Sequence, residues 1–257
     1  MTQTPPSDER DQERPQGHRI LRLVEVMETL RRECPWDSSQ THESLAKYLI
    51  QEAYETLETI EEGDVALLRE ELGDVLLQVV FHAAIAAERS EDDPAHFTVD
   101  DVADAIVDKM TRRHPHVFGG VEVSGTDEVW SNWEAIKAAE RSAKARRDGG
   151  DGATSVLDGV PFAQPAVLLA YELQKRAVRN GVPADLVGDD GGDGGALFAA
   201  VAAERDQGRD AETDLRSAAR RFDARVRAAE EAARAEGHEP RELSDEQWRA
   251  YWAGTRP

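Results

Sequence analysis

Residues 51–78 read QEAYETLETIEEGDVALLREELGDVLLQ, and the fold follows from this stretch. Glu52 and Glu55 are three apart, and so are Glu71 and Asp74. That spacing puts each pair on one face of an α-helix. The first helix is predicted from about His42 to Glu62, where Gly63 stops it. Asp64 is placed to cap the second, which reaches about Glu88. A connection this short makes the two helices antiparallel neighbours. On a helical wheel, Ala46, Leu49, Ile50, Ala53, Leu57 and Ile60 form an apolar stripe, while Leu45, Tyr48, Glu52, Glu55 and Thr59 form another face. On the second helix the main stripe is Leu68, Leu72, Val75, Val79 and Ala83. Leu67, Glu71, Asp74, Gln78, Phe81 and Ile85 make a second face. A helix apolar on two sides is expected to be buried, or covered by a partner chain.

Glu71 and Asp74 thus lie among Leu and Val. Buried carboxylates need either basic partners or a cation. The second helix offers only Arg69, near its start. Four oxygens on two facing helices suit a hard divalent ion such as Mg²⁺, which also binds phosphate oxygens. No His follows these acids at the i+3 position, which disfavours the di-iron arrangement. A buried salt bridge is the alternative for Glu71 and Asp74. Glu52 and Glu55, taken alone, read as a solvated face, as do Glu58, Glu61, Glu62 and Glu70.

Outward from this hairpin the pattern stays helical. A helix from Arg19 to Glu33 carries Leu23, Val26, Met27 and Leu30 on one side, and Cys34-Pro35-Trp36-Asp37 ends it. Thr98 with Asp101 resembles a capping box and opens a helix to about Arg113. His114 to Gly125 reads as a loop, and Asp127 to about Arg146 as a further helix. RDGGDGAT, from Arg147 to Thr154, is a flexible linker by composition. Helices follow at about 165–180 and, as a pair, over 196–236. The glycine–aspartate run at 188–195 interrupts them, and Trp248, Tyr251 and Trp252 lie near the end. The expected architecture is all-α, in two tandem helical units, the second incomplete. A disordered N-terminus spans 1–18, the first unit 19–146, the linker 147–156 and the second unit 157–257.

Composition sets limits on function. The net charge of −21 argues against nucleic acid and anionic membranes as partners. It does not exclude an anionic small ligand, because a bound cation inverts the local sign. The single cysteine, Cys34, excludes an internal disulfide framework and a multi-cysteine metal site. No stretch approaches the roughly 20 apolar residues of a membrane span, and residues 1–17 lack the apolar core of a signal peptide. A soluble, cytoplasmic protein is expected.

Five ordered stretches together resemble the MazG family of nucleoside triphosphate pyrophosphohydrolases. They are Cys34-Pro35-Trp36-Asp37 with Gln40-Thr41, Gln51-Glu52-Ala53-Tyr54-Glu55, Glu71-Leu72-Gly73-Asp74, Arg112-Arg113-His114-Pro115-His116-Val117-Phe118, and Trp133-Glu134-Ala135-Ile136-Lys137. The resemblance implies a MazG-like helical bundle. It implies catalysis and metal ligation by Glu52, Glu55, Glu71 and Asp74, with Mg²⁺ as cofactor and Mn²⁺ as a substitute. It implies conversion of an NTP or dNTP to the monophosphate and pyrophosphate, in nucleotide-pool house-cleaning or stress-nucleotide control. It also implies nucleotide contacts by Lys109, Arg113, Trp133 and Lys137, with Arg112 as a weaker member. The sequence departs from the family signature at Gln51, where a Glu is usual. The family forms dimers of helical bundles, so a homodimer is expected.

Residues 157–180 resemble the start of a second such unit, and 214–252 its end, with Arg221 and Arg225 at the basic positions. The middle differs: glycines and aspartates stand where a Glu-x-x-Glu helix belongs. The second unit is therefore expected to lack a metal site and to serve packing or regulation. The alternative for the whole chain is a catalytically silent helical module that binds nucleotide or a protein partner.

Overall fold

The computed structural model describes residues 17–147, 155–188 and 191–255. Most of the expected disordered N-terminus, of the expected linker, and residues 189–190 of the glycine–aspartate run lie outside the described residues. Among the described residues every regular element is a helix, as the composition and spacing predict. No helix among them is long and apolar enough to cross a membrane. The chain divides into two compact units, Met1–Ile136 and Lys137–Pro257.

The first unit opens with α1 (His18–Glu33) and a short α2 (Pro35–Ser39). The proline that ends α1 also begins α2, because its fixed φ suits the first helical position. Helix α3 (His42–Glu62) starts at a capping box formed by Thr41 and Ser44. Gly63 ends it with φ 75°, a left-handed conformation that glycine adopts without strain. The Asp64 side chain then accepts from the backbone N–H groups of Ala66 and Leu67 and opens α4 (Val65–Ala87). The two-residue connection folds α4 back along α3, and the two helices pack along their length. Thr98 and Asp101 form the expected capping box of α5 (Val99–Arg113). The expected loop after it holds one short helix, α6 (Pro115–Phe118), again begun by a proline. Helix α7 (Thr126–Arg147) runs across the boundary between the units.

Met27, Leu45, Val80 and Phe81 form the core of the first unit, with Leu23, Val24, Leu30 and Tyr48 packed against them. Val24 takes the place expected of Val26, which is exposed. Arg31 ties the layers together. Its guanidinium pairs with Glu88 through two contacts of 2.6 Å, and it donates to the backbone oxygens of Asp37 and Gln40.

The wheel assignment of α3 is corrected by the structure. Its buried positions are Leu45, Thr56 and Thr59, on the face that carries the acids. The apolar stripe faces outward, with Leu49, Ile50 and Ile60 exposed, and Leu72 and Val79 of α4 are exposed as well. The hairpin can bury only one face of α3 against α4, and the hydroxyl of Thr59 is satisfied there by the Thr56 carbonyl at 2.8 Å.

At the far end of the hairpin, His42 and His82 stack with their Nδ1 atoms 2.8 Å apart. One Nδ1 must donate and the other accept, so the contact holds one proton between two rings. Burial and then His42 push the His82 pKa below its ordinary value. The unfolded chain therefore takes up a proton near pH 6.5 that the folded protein refuses. The stabilisation is present above that pH and is lost as pH falls through the lowered value. Thermal melts of the protein should show falling stability from pH 7.5 to 5.5, and His82→Gln should flatten that dependence.

The second unit comprises α8 (Ala166–Arg179), α9 (Gly195–Asp206), α10 (Ala211–Ala235) and α11 (Asp245–Gly254). Its buried side chains are mostly alanine and valine. Gln174 is buried at their centre and donates to the Phe198 carbonyl at 2.7 Å. Between α8 and α9 the described residues hold one 3₁₀ turn, Ala184–Leu186, and nothing resembling α3. Arg225 lies 4.0 Å over the Trp252 ring and donates to its backbone oxygen. The helix pair expected over 196–236 is present, and Arg225 is committed to Trp252 within it.

Candidate metal and nucleotide site

The site lies on the facing sides of α3 and α4. Antiparallel packing pairs positions along the seam in opposite chain directions, so Glu55 meets Glu71 and Glu52 meets Asp74. One carboxylate oxygen from each of Glu52, Glu55 and Glu71 falls within 4.8 Å of the others, and all three side chains are half-buried. Asp74 is exposed and its oxygens fall outside that trio. It is still close enough to act on the other acids.

The electrostatics record that crowding. Partial desolvation, then the charges of Glu55 and Asp74, push the Glu52 carboxyl above the usual carboxylate range. Desolvation, then Glu55, Asp74 and Glu70, do the same to Glu71. One polar contact relieves the cluster: Gln51 Nε2 donates to Glu55 Oε1 at 2.9 Å. A carboxylate accepts only, so the amide nitrogen must be the atom facing it. The donor set is thus all oxygen, negatively charged and convergent, which is what a hard divalent cation takes. These residues fit such an ion.

Further along the same seam, Gln78 sits one turn beyond Asp74, and Tyr48 one turn before Glu52. Gln78 is buried on the acid-bearing face, as expected of a helix apolar on two sides, whereas Asp74, expected among buried Leu and Val, is exposed on the same face. Trp36 of α2 packs edge-on against Tyr48 at 6.1 Å and Phe81 at 6.4 Å between ring centroids. It nevertheless keeps 51% of its surface exposed.

The basic residues expected to hold nucleotide group differently. Lys109 and Arg112 are exposed on α5. Arg113 is half-buried and lies 5.4 Å over the Trp133 ring. His114 meets the same ring edge-on at 5.0 Å, and its Nδ1 donates to the Met110 carbonyl. That makes His114 a support for Trp133. Lys137 is half-buried and belongs to the second compact unit. The structure therefore gathers Glu52, Glu55 and Glu71 in one place and Arg113 with Trp133 in another. Arg113–Trp133 in the first unit and Arg225–Trp252 in the second are the same kind of pair, each joining a long helix to a later one.

Comparison with known proteins gives this arrangement a family. A family model described as the MazG nucleotide pyrophosphohydrolase domain matches residues 40–118, which contain all four acids and the whole α3–α4 hairpin. The chain is 42% identical over 250 residues to the nucleoside triphosphate pyrophosphohydrolase of Mycolicibacterium smegmatis, covering 93% of this chain and 71% of that one. It is 37% identical over 256 residues to the nucleoside triphosphate pyrophosphohydrolase/pyrophosphatase MazG of Thermotoga maritima, covering 90% and 92%. It is 39% identical over 247 residues to the Mycobacterium tuberculosis protein of the first name, covering 92% and 69%. The similarity extends over residues of both compact units, and the chain belongs to the MazG family.

Proposed function

We propose that this protein is a nucleoside triphosphate pyrophosphohydrolase that releases a nucleoside monophosphate and pyrophosphate, with Mg²⁺ held by Glu52, Glu55, Glu71 and Asp74. The observation that carries the reading is the convergence of three carboxylates from two helices, with the Glu52 and Glu71 carboxyls pushed above the usual carboxylate range by desolvation and by their acidic neighbours. The names of the relatives support the reaction. A bound divalent ion supplies charge neutralisation for the phosphate chain and a lowered pKa for a coordinated water. The protein's own work is positional. Helices α3 and α4 hold the carboxylates at fixed separation, and Gln51 fixes the orientation of Glu55. Lys109, Arg112, Arg113, Trp133 and Lys137 are assigned to the nucleotide. Glu52 and Glu71, both poised to keep a proton longer than an ordinary carboxylate, favour a site that binds its cation more weakly as pH falls. The biological role we assign is house-cleaning of the nucleotide pool in the cytoplasm.

Incubation with a panel of NTPs and dNTPs plus Mg²⁺ should yield pyrophosphate and monophosphate in equal amounts, and Asp74→Asn should abolish most of the release. Orthophosphate as the product, or equal release by the variant, would overturn the proposal.

The same hairpin supports a homodimer. The stripes on α3 and α4 are rotated from the seam by similar angles in the same sense, and in an antiparallel pair that places both on one side. Leu49, Ile50, Ile60, Leu72 and Val79 then form one exposed apolar surface, which soluble proteins usually cover. Light scattering should report a dimer, and Ile50→Glu should give a monomer.

A further inference from the structure

The contact between His42 and His82 lies outside the chemistry assigned so far. His82 stands two turns beyond Asp74 on α4, about 12 Å further along the helix axis. His42 is the first residue of α3. Both rings are half-buried. Their planes are 4° from parallel, their centroids are 5.1 Å apart and their Nδ1 atoms 2.8 Å apart. The difference between those two distances is no larger than the two ring radii together. The nitrogens therefore face each other on the line that joins the rings, and their lone-pair directions run along it. Such a pair encloses one point between two donors, and a shared proton fills it. Among the described residues no third His, Cys or acid atom converges with the pair. Burial and then His42 hold the His82 pKa down, so that ring stays neutral, the form that binds metal.

We propose that His42 and His82 bind a soft monovalent d¹⁰ cation between their Nδ1 atoms: Cu⁺ in the cell, with Ag⁺ as its redox-silent analogue. Such ions accept two donors in line, which is what the pair offers, whereas tetrahedral and octahedral ions need further donors that it lacks. Imidazole nitrogen suits copper and carboxylate oxygen suits Mg²⁺, so the two ends of the hairpin select different cations. Metal–imidazole bonds of about 2 Å put the nitrogens about 4 Å apart in line, so the rings must part by roughly 1 Å, a small change in their side-chain torsions. On binding, the proton between the rings moves to the Nε2 of the ring that carries it. Both rings stay neutral and no proton is lost. Two coordinate bonds then replace one hydrogen bond between the first turn of α3 and α4, and the bound ion stiffens the hairpin.

The experiment uses the full chain carrying Cys34→Ser, which removes the thiol that would compete for such ions. Excess Mg²⁺ is present throughout, to keep the oxygen ligands of the acid cluster engaged. Ag⁺ is titrated in chloride-free buffer while the ¹⁵N resonances of the imidazoles and the thermal melt are followed. The Cu⁺ affinity is measured by competition with bicinchoninate under a reductant. One equivalent of Ag⁺ should move the Nδ1 resonances of both His42 and His82 and raise the melting temperature. His42→Gln and His82→Gln should each weaken Ag⁺ and Cu⁺ at least tenfold. His96→Gln, at a half-buried histidine elsewhere, should leave both unchanged. Unmoved Nδ1 resonances overturn the proposal, and so does binding of equal strength in the two Gln variants. Zn²⁺ binding at the pair as tightly as Ag⁺ would overturn the linear geometry and with it the class of ion. The resonance readout needs no substitution at either histidine, so a variant that fails to fold leaves the test intact. No readout involves hydrolysis, so the inference stands or falls separately from the proposed function.

Discussion

Glu71→Gln is expected to lower kcat/KM by a factor on the order of 10³ while leaving the helices in place. The size follows from the several kcal/mol of charge stabilisation that a catalytic divalent ion supplies, at about 1.4 kcal/mol per factor of ten. The substitution is nearly isosteric and removes one of three convergent oxygens' charges. Its effect on stability should have the opposite sign to its effect on activity. Glu71 is repelled by Glu55, Asp74 and Glu70, and its pKa is raised for that reason after desolvation. A group with a raised folded pKa contributes stability that is fully present below the unfolded value and lost as pH rises through the folded one. At neutral pH, without a divalent ion, the wild-type protein carries that repulsion and the variant does not. Thermal melts in EDTA should therefore rank Glu71→Gln above wild type, and added Mg²⁺ should reverse the order. Equal activity in the variant, or an unchanged ranking with Mg²⁺, would remove Glu71 from the site.

Leu45→Ala should have the largest effect on the fold itself. Leu45 is 1% exposed and packs with Met27, Val80 and Phe81, so it joins α3 to α1 and α4 at once. Truncating a fully buried leucine removes its burial and leaves a cavity, together about 2.7–5 kcal/mol. Domains are stable by about 5–15 kcal/mol, so this loss takes a large share. Amide exchange in α1, α3 and α4 should accelerate by two orders of magnitude or more. Exchange unchanged there would mean the core relaxes into the space.

These two positions also mark what was legible in the sequence. The hairpin was, because its signals are local: Gly63 for the turn, Asp64 for the cap, and a repeated three-residue spacing of acids. The capping box at Thr98 and Asp101 was legible for the same reason. Which face of α3 would be buried was not. A helical wheel shows that a stripe is apolar but not what covers it, and here Thr56 and Thr59 are buried while Ile50 and Ile60 are exposed. The His42–His82 contact joins residues forty apart with no pattern between them. Likewise the commitment of Arg113 to Trp133 and of Arg225 to Trp252 depends on where separate helices lie, and only tertiary structure decides that.

The two-residue link at Gly63 and Asp64 has a kinetic consequence. All four acids lie within one helical hairpin, so the chain closes only a short loop to bring them together. Contacts this near in sequence form quickly, because little loop-closure entropy opposes them. Both helices can dock as soon as they exist, while α1, α5 and α7 are still unplaced. A divalent ion captured at that stage would act as a clamp on a nascent hairpin. Refolding of the first unit should then run faster in Mg²⁺ than in EDTA, making the cation a participant in the birth of the fold as well as in its chemistry.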